Sequence, residues 1–137
     1  LVAIVDWLAT QREAATLAVG FFGASTGGGA ALAAAAVRPG RVAAVVSRGG
    51  RPDMAGRGLL HVSAPTLLIV GGKDTDVIEL NRSAMARMRC ASSLQIVPGA
   101  THLFEEPGAL EIVAASAARW FQEHATSNPA VQASKAV

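Results

Sequence analysis

The sequence predicts an α/β fold, a parallel sheet of about four strands with helices on both faces. Three observations carry that reading. Apolar runs at 17–22, 42–46, 66–70 and 93–97 are separated by helix-length segments, the spacing of βαβ units with right-handed crossovers. Much of the 51% hydrophobic fraction is alanine, so the helices are slim and can lie close to a sheet. Several of the runs end in glycine-bearing turns, and in an open parallel sheet the turns at the carboxyl edge converge on one place.

Taken in order, residues 1–13 put Leu1, Ile4, Val5 and Leu8 on one stripe and Asp6, Thr10 and Glu13 elsewhere, the pattern of an amphipathic helix. Strand 17–22 runs into a tight turn, and a helix follows from about 26 to Val37, stopped by Pro39-Gly40. Residues 42–46 form a buried strand, and 49–64, rich in Gly, Arg and Pro, reads as loop. Strand 66–70 leads to a helix near 77–89, with Cys90 as a small packing residue at its end, and then to strand 93–97. The last helix starts near Pro107 and carries Leu110, Val113, Ala117 and Trp120 on one face. Trp7 and Trp120 are expected to pack helices against the sheet. Glu105 and Glu106 are expected to favour the first turn of the last helix by charge–dipole attraction. The division is one domain over 1–124 and a disordered tail over 125–137, whose small and polar residues show no periodicity.

The chemistry begins at Gly23-Ala24-Ser25-Thr26-Gly27. A G-x-S-x-G run between a strand and a helix forms a strained elbow that holds the serine hydroxyl out at the end of the sheet. Glycines at 23 and 27 are expected to relieve the crowding. The Thr26 amide, at the helix N-terminus, is where a developing oxyanion would be stabilised. Two further strands end in Gly71-Gly72-Lys73-Asp74-Thr75-Asp76 and in Pro98-Gly99-Ala100-Thr101-His102. Serine, acid and histidine thus each follow a different strand. In such a set the histidine takes the hydroxyl proton and the carboxylate fixes its tautomer. Bland readings stand beside these. Ser25 is also a good helix N-cap, Asp74 a good Asx-turn residue with Asp76 competing for the acid role, and His102 a helix-capping or solvated histidine. His61 and His124 lack placement at a strand end.

These residues resemble a known family. The order Ser–Asp–His is that of α/β-hydrolases, and the elbow GASTG, the acid turn VGGKDTDV and the histidine turn PGATHLF look like those of the dienelactone-hydrolase-like group of small, lidless esterases. A related domain also occurs behind phosphoribosyltransferase domains. The resemblance covers residues 1–124 and implies the C-terminal half of an α/β-hydrolase-type sheet, with Ser25, Asp74 and His102 as the triad and Thr26 in the oxyanion hole. Dienelactone hydrolases proper carry cysteine at the nucleophile position, where this chain has Ser25; acyl transfer survives that change. The implied activity is hydrolysis of a small ester, thioester or lactone, and the rival is a hydrolase-like domain that only binds or regulates.

Other classes find little support. A net charge of +2 and a pI near 9.3 are too mild to imply nucleic acid, and the arginines at 38, 41, 48, 51 and 57 have no interleaved aromatics. Arg48 and Arg51, just past a strand end, are candidates for pairing with a substrate carboxylate. Gly27 is followed by Gly-Gly-Ala rather than Lys-Ser/Thr, so there is no P-loop, and no G-x-G-x-x-G occurs. One cysteine and three scattered histidines argue against a metal site; neither metal nor cofactor is expected. No apolar run approaches the roughly 20 residues of a membrane span, no signal peptide is visible, and a cytoplasmic location is expected. The chain begins at Leu1 inside a predicted helix. It is therefore expected to be half a fold, with strand 17–22 an exposed edge that pairs with a preceding segment or with another copy.

Overall fold

Four strands form one parallel sheet in chain order: β1 (Gly20–Ala24), β2 (Ala44–Arg48), β3 (Thr66–Gly71) and β4 (Ser92–Val97). The computed structural model describes residues 1–125, so the predicted tail, Ala125 apart, lies outside the described residues. Helix α1 (Val2–Leu8) precedes the sheet, α2 (Thr26–Val37) joins β1 to β2, α3 (Thr75–Arg87) joins β3 to β4, and α4 (Ala109–His124) closes the chain.

The period-2 alternation of strand side chains divides the core between two faces. Val45 points to one side, among Leu32, Ala35 and Leu59 of the α2 layer. Its neighbour Val46 points to the other, with Leu67, Ile69, Phe104, Val113 and Ala117 of the α4 layer. Val70 packs with Val77 and Ile78 of α3. Helices therefore cover both faces, as the sequence predicts. Each fully buried leucine contributes about 1.5–3 kcal/mol to that packing. The register pairs Ala24 with Arg48, Arg48 with Ile69, and Gly71 with Val97, so all four strands end along one edge.

Several local expectations are corrected. β1 starts and ends later than 17–22 and continues into the elbow, and β2 likewise runs on to Arg48. Within 49–64, residues Pro52–His61 form a 3₁₀ helix kinked at Gly56, which has φ 53°. Its Leu59 is buried in the α2 core, and the Gly56 carbonyl accepts a hydrogen bond from Arg87 Nη2 at 2.9 Å. α1 is short: only Val5 is buried, while Leu1, Ile4 and Trp7 are exposed, so Trp7 does not pack on the sheet. Trp120 does, with Nε1 donating to the Pro65 carbonyl at 3.2 Å. Leu110 is exposed; Ala109, Val113 and Ala117 form the buried stripe of α4. Because α4 begins at Ala109, neither Glu105 nor Glu106 lies in its first turn.

Among the described residues β1 has a neighbour on one side only. Phe22, on the α4 face opposite Val46, is 52% exposed, because α4 covers β2 and β3 and reaches β1 only where Phe121 meets Gly20. The predicted exposed edge is present among the described residues.

Candidate active site

Ser25 follows β1 directly and sits at the N-cap of α2 with φ 50° and ψ −122°. A non-glycine residue at positive φ is strained, at a cost of about 1–3 kcal/mol. The strain is imposed by three backbone hydrogen bonds. Ser25 N–H donates to the Arg48 carbonyl at 3.0 Å, and its own carbonyl accepts from the amides of Gly28 at 3.1 Å and Arg51 at 3.0 Å. The side chain makes no capping bond, which leaves the hydroxyl free of the bland role. Crowding explains the glycines, though not all as expected. A Cβ on Gly23 would lie 2.3 Å from the Gly27 carbonyl oxygen, whereas one on Gly27 would meet nothing within 4 Å. Gly28 and Gly29 are the others required: a Cβ there would strike Ser47 Oγ or the Arg51 carbonyl, so α2 lies directly against the segment after β2. Thr26 opens α2, and its amide has no intrahelical partner at that position.

Asp74 shares that pattern. It is the N-cap of α3 and, with 16% side-chain exposure, forgoes the cap bond. Its Oδ2 instead lies 2.6 Å from His102 Nδ1. A carboxylate only accepts, so Nδ1 is the donor of this bond and Nε2 is the ring nitrogen left for other partners. Asp76 lies in the first turn of α3 and makes no such contact. The acid and histidine turns are stitched together by backbone: Gly72 N–H donates to the Val97 carbonyl at 2.8 Å and Lys73 N–H to the Ala100 carbonyl at 2.9 Å. Gly71 permits the approach, since a Cβ there would fall 2.5 Å from the Ala100 and Thr101 oxygens.

Beyond His102 the turn is held by side chains. Phe104, at φ 58°, is 1% exposed in the α4 core. Arg48 Nη1 donates to the Leu103 carbonyl at 3.2 Å, and its guanidinium sits 5.3 Å from the Phe104 ring centroid. Both Glu106 carboxylate oxygens accept from Thr101 N–H at 3.1 Å, which holds this carboxyl below the usual carboxylate range. That is a correction to its expected role at the helix start. Arg51 is engaged with Asp53 at 2.7 Å. The serine and histidine turns meet at Gly49: with φ 52°, it would place a Cβ 3.4 Å from His102 Cε1 and Nδ1. His61 ends the 3₁₀ helix and His124 lies against Trp120 with its ring tilted by 54°, so neither joins the site.

Residues 1–127 match the dienelactone hydrolase family. The chain belongs to that family. It is 56% identical to a dienelactone hydrolase from Anabaena variabilis, with a TM-score of 0.88 over 90% of this chain and 57% of that one. A likeness of fold alone extends to the esterase domain of a Rhodothermus marinus protein, at 20% identity and a TM-score of 0.74 over 90% of this chain and 66% of that one. Two curated relatives from strains of Mycobacterium tuberculosis are 60% identical over 124 residues and carry the name "Putative phosphoribosyl transferase". The match covers 90% of this chain and 28% of each relative, so the chain spans little more than a quarter of their length. The α/β-hydrolase-type fold follows from the family and from the sheet itself. Among the described residues no group of three or more His, Cys, Asp or Glu side chains is arranged to hold a metal ion, and no helix is long and apolar enough to cross a membrane.

Sequence reasoning missed the supports: Phe104, Glu106, the Arg48 bond to the histidine turn, and Asn81. One signal was available. Asn81 occupies the stripe of α3 otherwise made by Val77, Ile78 and Ala84, an uncharged polar residue where the period calls for an apolar one.

Proposed function

We propose that this chain carries a serine hydrolase site acting on a small ester, thioester or lactone. Ser25 Oγ attacks the acyl carbon while His102 Nε2 takes its proton; the Thr26 amide donates to the oxyanion. His102 returns the proton to the departing alcohol or thiol, and the same base then activates water to release the acid from the acyl-enzyme. The observation that carries this reading is the 2.6 Å contact between Asp74 and His102, made by a carboxylate that gives up its capping position. The segment after β2 lies along α2 as a 3₁₀ helix rather than forming a cap domain, which favours small acyl groups over long chains. The unpaired edge of β1 is the place where a preceding segment or a second copy would add a strand.

A second reading is favoured by the name of the curated relatives: a hydrolase-like domain that binds or regulates beside a phosphoribosyl-transferring one. A fluorophosphonate probe separates the two in the full-length protein. The expected outcome is a phosphonylated Ser25 peptide, absent from Ser25→Ala and His102→Ala. An unlabelled wild-type protein would leave the binding reading in place.

A further inference from the structure

The loop between β2 and the 3₁₀ helix, Gly49–Arg51, is the common wall of the site. Its flanking backbone brackets Ser25, through the Arg48 carbonyl on one side and the Arg51 amide on the other, and Gly49 packs against the His102 ring. The backbones of Gly28 and Gly50 are pressed together around the Ser47 hydroxyl. A Cβ on Gly50 would lie 1.8 Å from Ser47 Oγ, and one on Gly28 would lie 2.3 Å from the same atom and 3.1 Å from Gly50 Cα.

Asn81 reaches this loop from α3. Its side chain is fully buried, and Nδ2 donates to the Gly50 carbonyl at 3.0 Å and to the Val77 carbonyl at 2.8 Å. Among the described residues Oδ1 has no hydrogen-bond partner, and neither does Ser47 Oγ. A buried polar atom left unsatisfied costs about 1–3 kcal/mol. A leucine at 81 would extend the apolar stripe of α3 without that cost. What the amide alone supplies is the bond to Gly50. The helix that makes it is the one that Asp74 precedes at the N-cap position, seven residues and about two turns earlier on the same side.

We propose that Asn81 is a positioning residue. It ties the acid-bearing helix to the Gly49–Arg51 loop and so holds Ser25 and the His102 ring at their working separation. The catalytic part of this statement rests on the serine hydrolase reading above; the tether does not. The test uses Asn81→Leu in the full-length protein, with Asn81→Ala as the second variant should leucine fail to fold. If the tether acts as proposed, the Ser25 and Arg51 amides exchange with solvent about tenfold faster or more. Phosphonylation of Ser25 and kcat both fall by about 10- to 100-fold with KM unchanged. A folded variant with wild-type amide protection overturns the proposal, and so does one with a lowered Tm but unchanged kcat. Loss of protection in a protein whose wild-type form takes no fluorophosphonate upholds the tether and removes the hydrolase reading instead.

Discussion

The serine turn is held by backbone alone, whereas the histidine turn adds side-chain bonds to its backbone ones. Around Ser25 the hydrogen bonds are backbone to backbone, and the neighbours are glycines whose missing Cβ atoms allow α2 and the loop after β2 to approach. Around His102 the backbone bonds from Gly72 and Lys73 are joined by side chains: Asp74 on the ring, Arg48 on the Leu103 carbonyl, Glu106 on the Thr101 amide and Phe104 in the core. A turn held by backbone keeps its shape when its own side chain is changed. A turn held in part by side chains loses support with each one removed. Strain is stored in both, at Ser25 and at Phe104, the two non-glycine residues with positive φ among those described.

That contrast breaks most visibly at the chemistry. On the serine hydrolase reading proposed above, Ser25, Asp74 and His102 act as a unit, so His102→Ala is expected to lower turnover on the order of 10⁴-fold or more. Asp74→Asn should cost a similar or somewhat smaller factor. Asp76→Asn, with no contact to the ring, should change kcat/KM little; a larger effect at Asp76 than at Asp74 would reverse the assignment of the acid. Next in size is Phe104→Ala, which empties a buried position and should cost about 3–5 kcal/mol in denaturant unfolding. The histidine turn would loosen with it.

The serine turn should answer differently. Ser25→Gly removes the hydroxyl but suits the observed φ of 50°, so stability is expected to rise by up to about 1 kcal/mol while labelling disappears. A fall in Tm would mean that the elbow is not strained. The smallest expected effect is at Glu106. Its carboxyl is held below the usual range first by its hydrogen bond from the Thr101 amide. A group depressed in the folded state contributes stability above its unfolded pKa, near about 4.3, that is lost as pH falls through the folded value. Glu106→Gln should therefore flatten the acid limb of stability below about pH 4, with little change at neutral pH. An unaltered acid limb would show that the contact does not support the turn.

By itself the sequence determined the order of strands and helices, the parallel sheet, and the three turns nominated for the chemistry. Each of these rests on local signals: apolar periodicity, Pro39-Gly40 as a stop, and glycines around Ser25. The limits of β1 and β2 were less legible, because Val19 and Val42 are as apolar as the strand residues beside them and only pairing decides where a ladder begins. The 3₁₀ helix was hidden by its Gly and Pro content, and its fold depends on contacts with α2 and α3 that no local pattern records. Whether Ser25 and Asp74 cap their helices or leave them uncapped was likewise settled only in three dimensions. The reason is physical: a cap is satisfied within four residues of chain, whereas the bond that Asp74 accepts from His102 spans twenty-eight positions and exists only once β3 and β4 are paired.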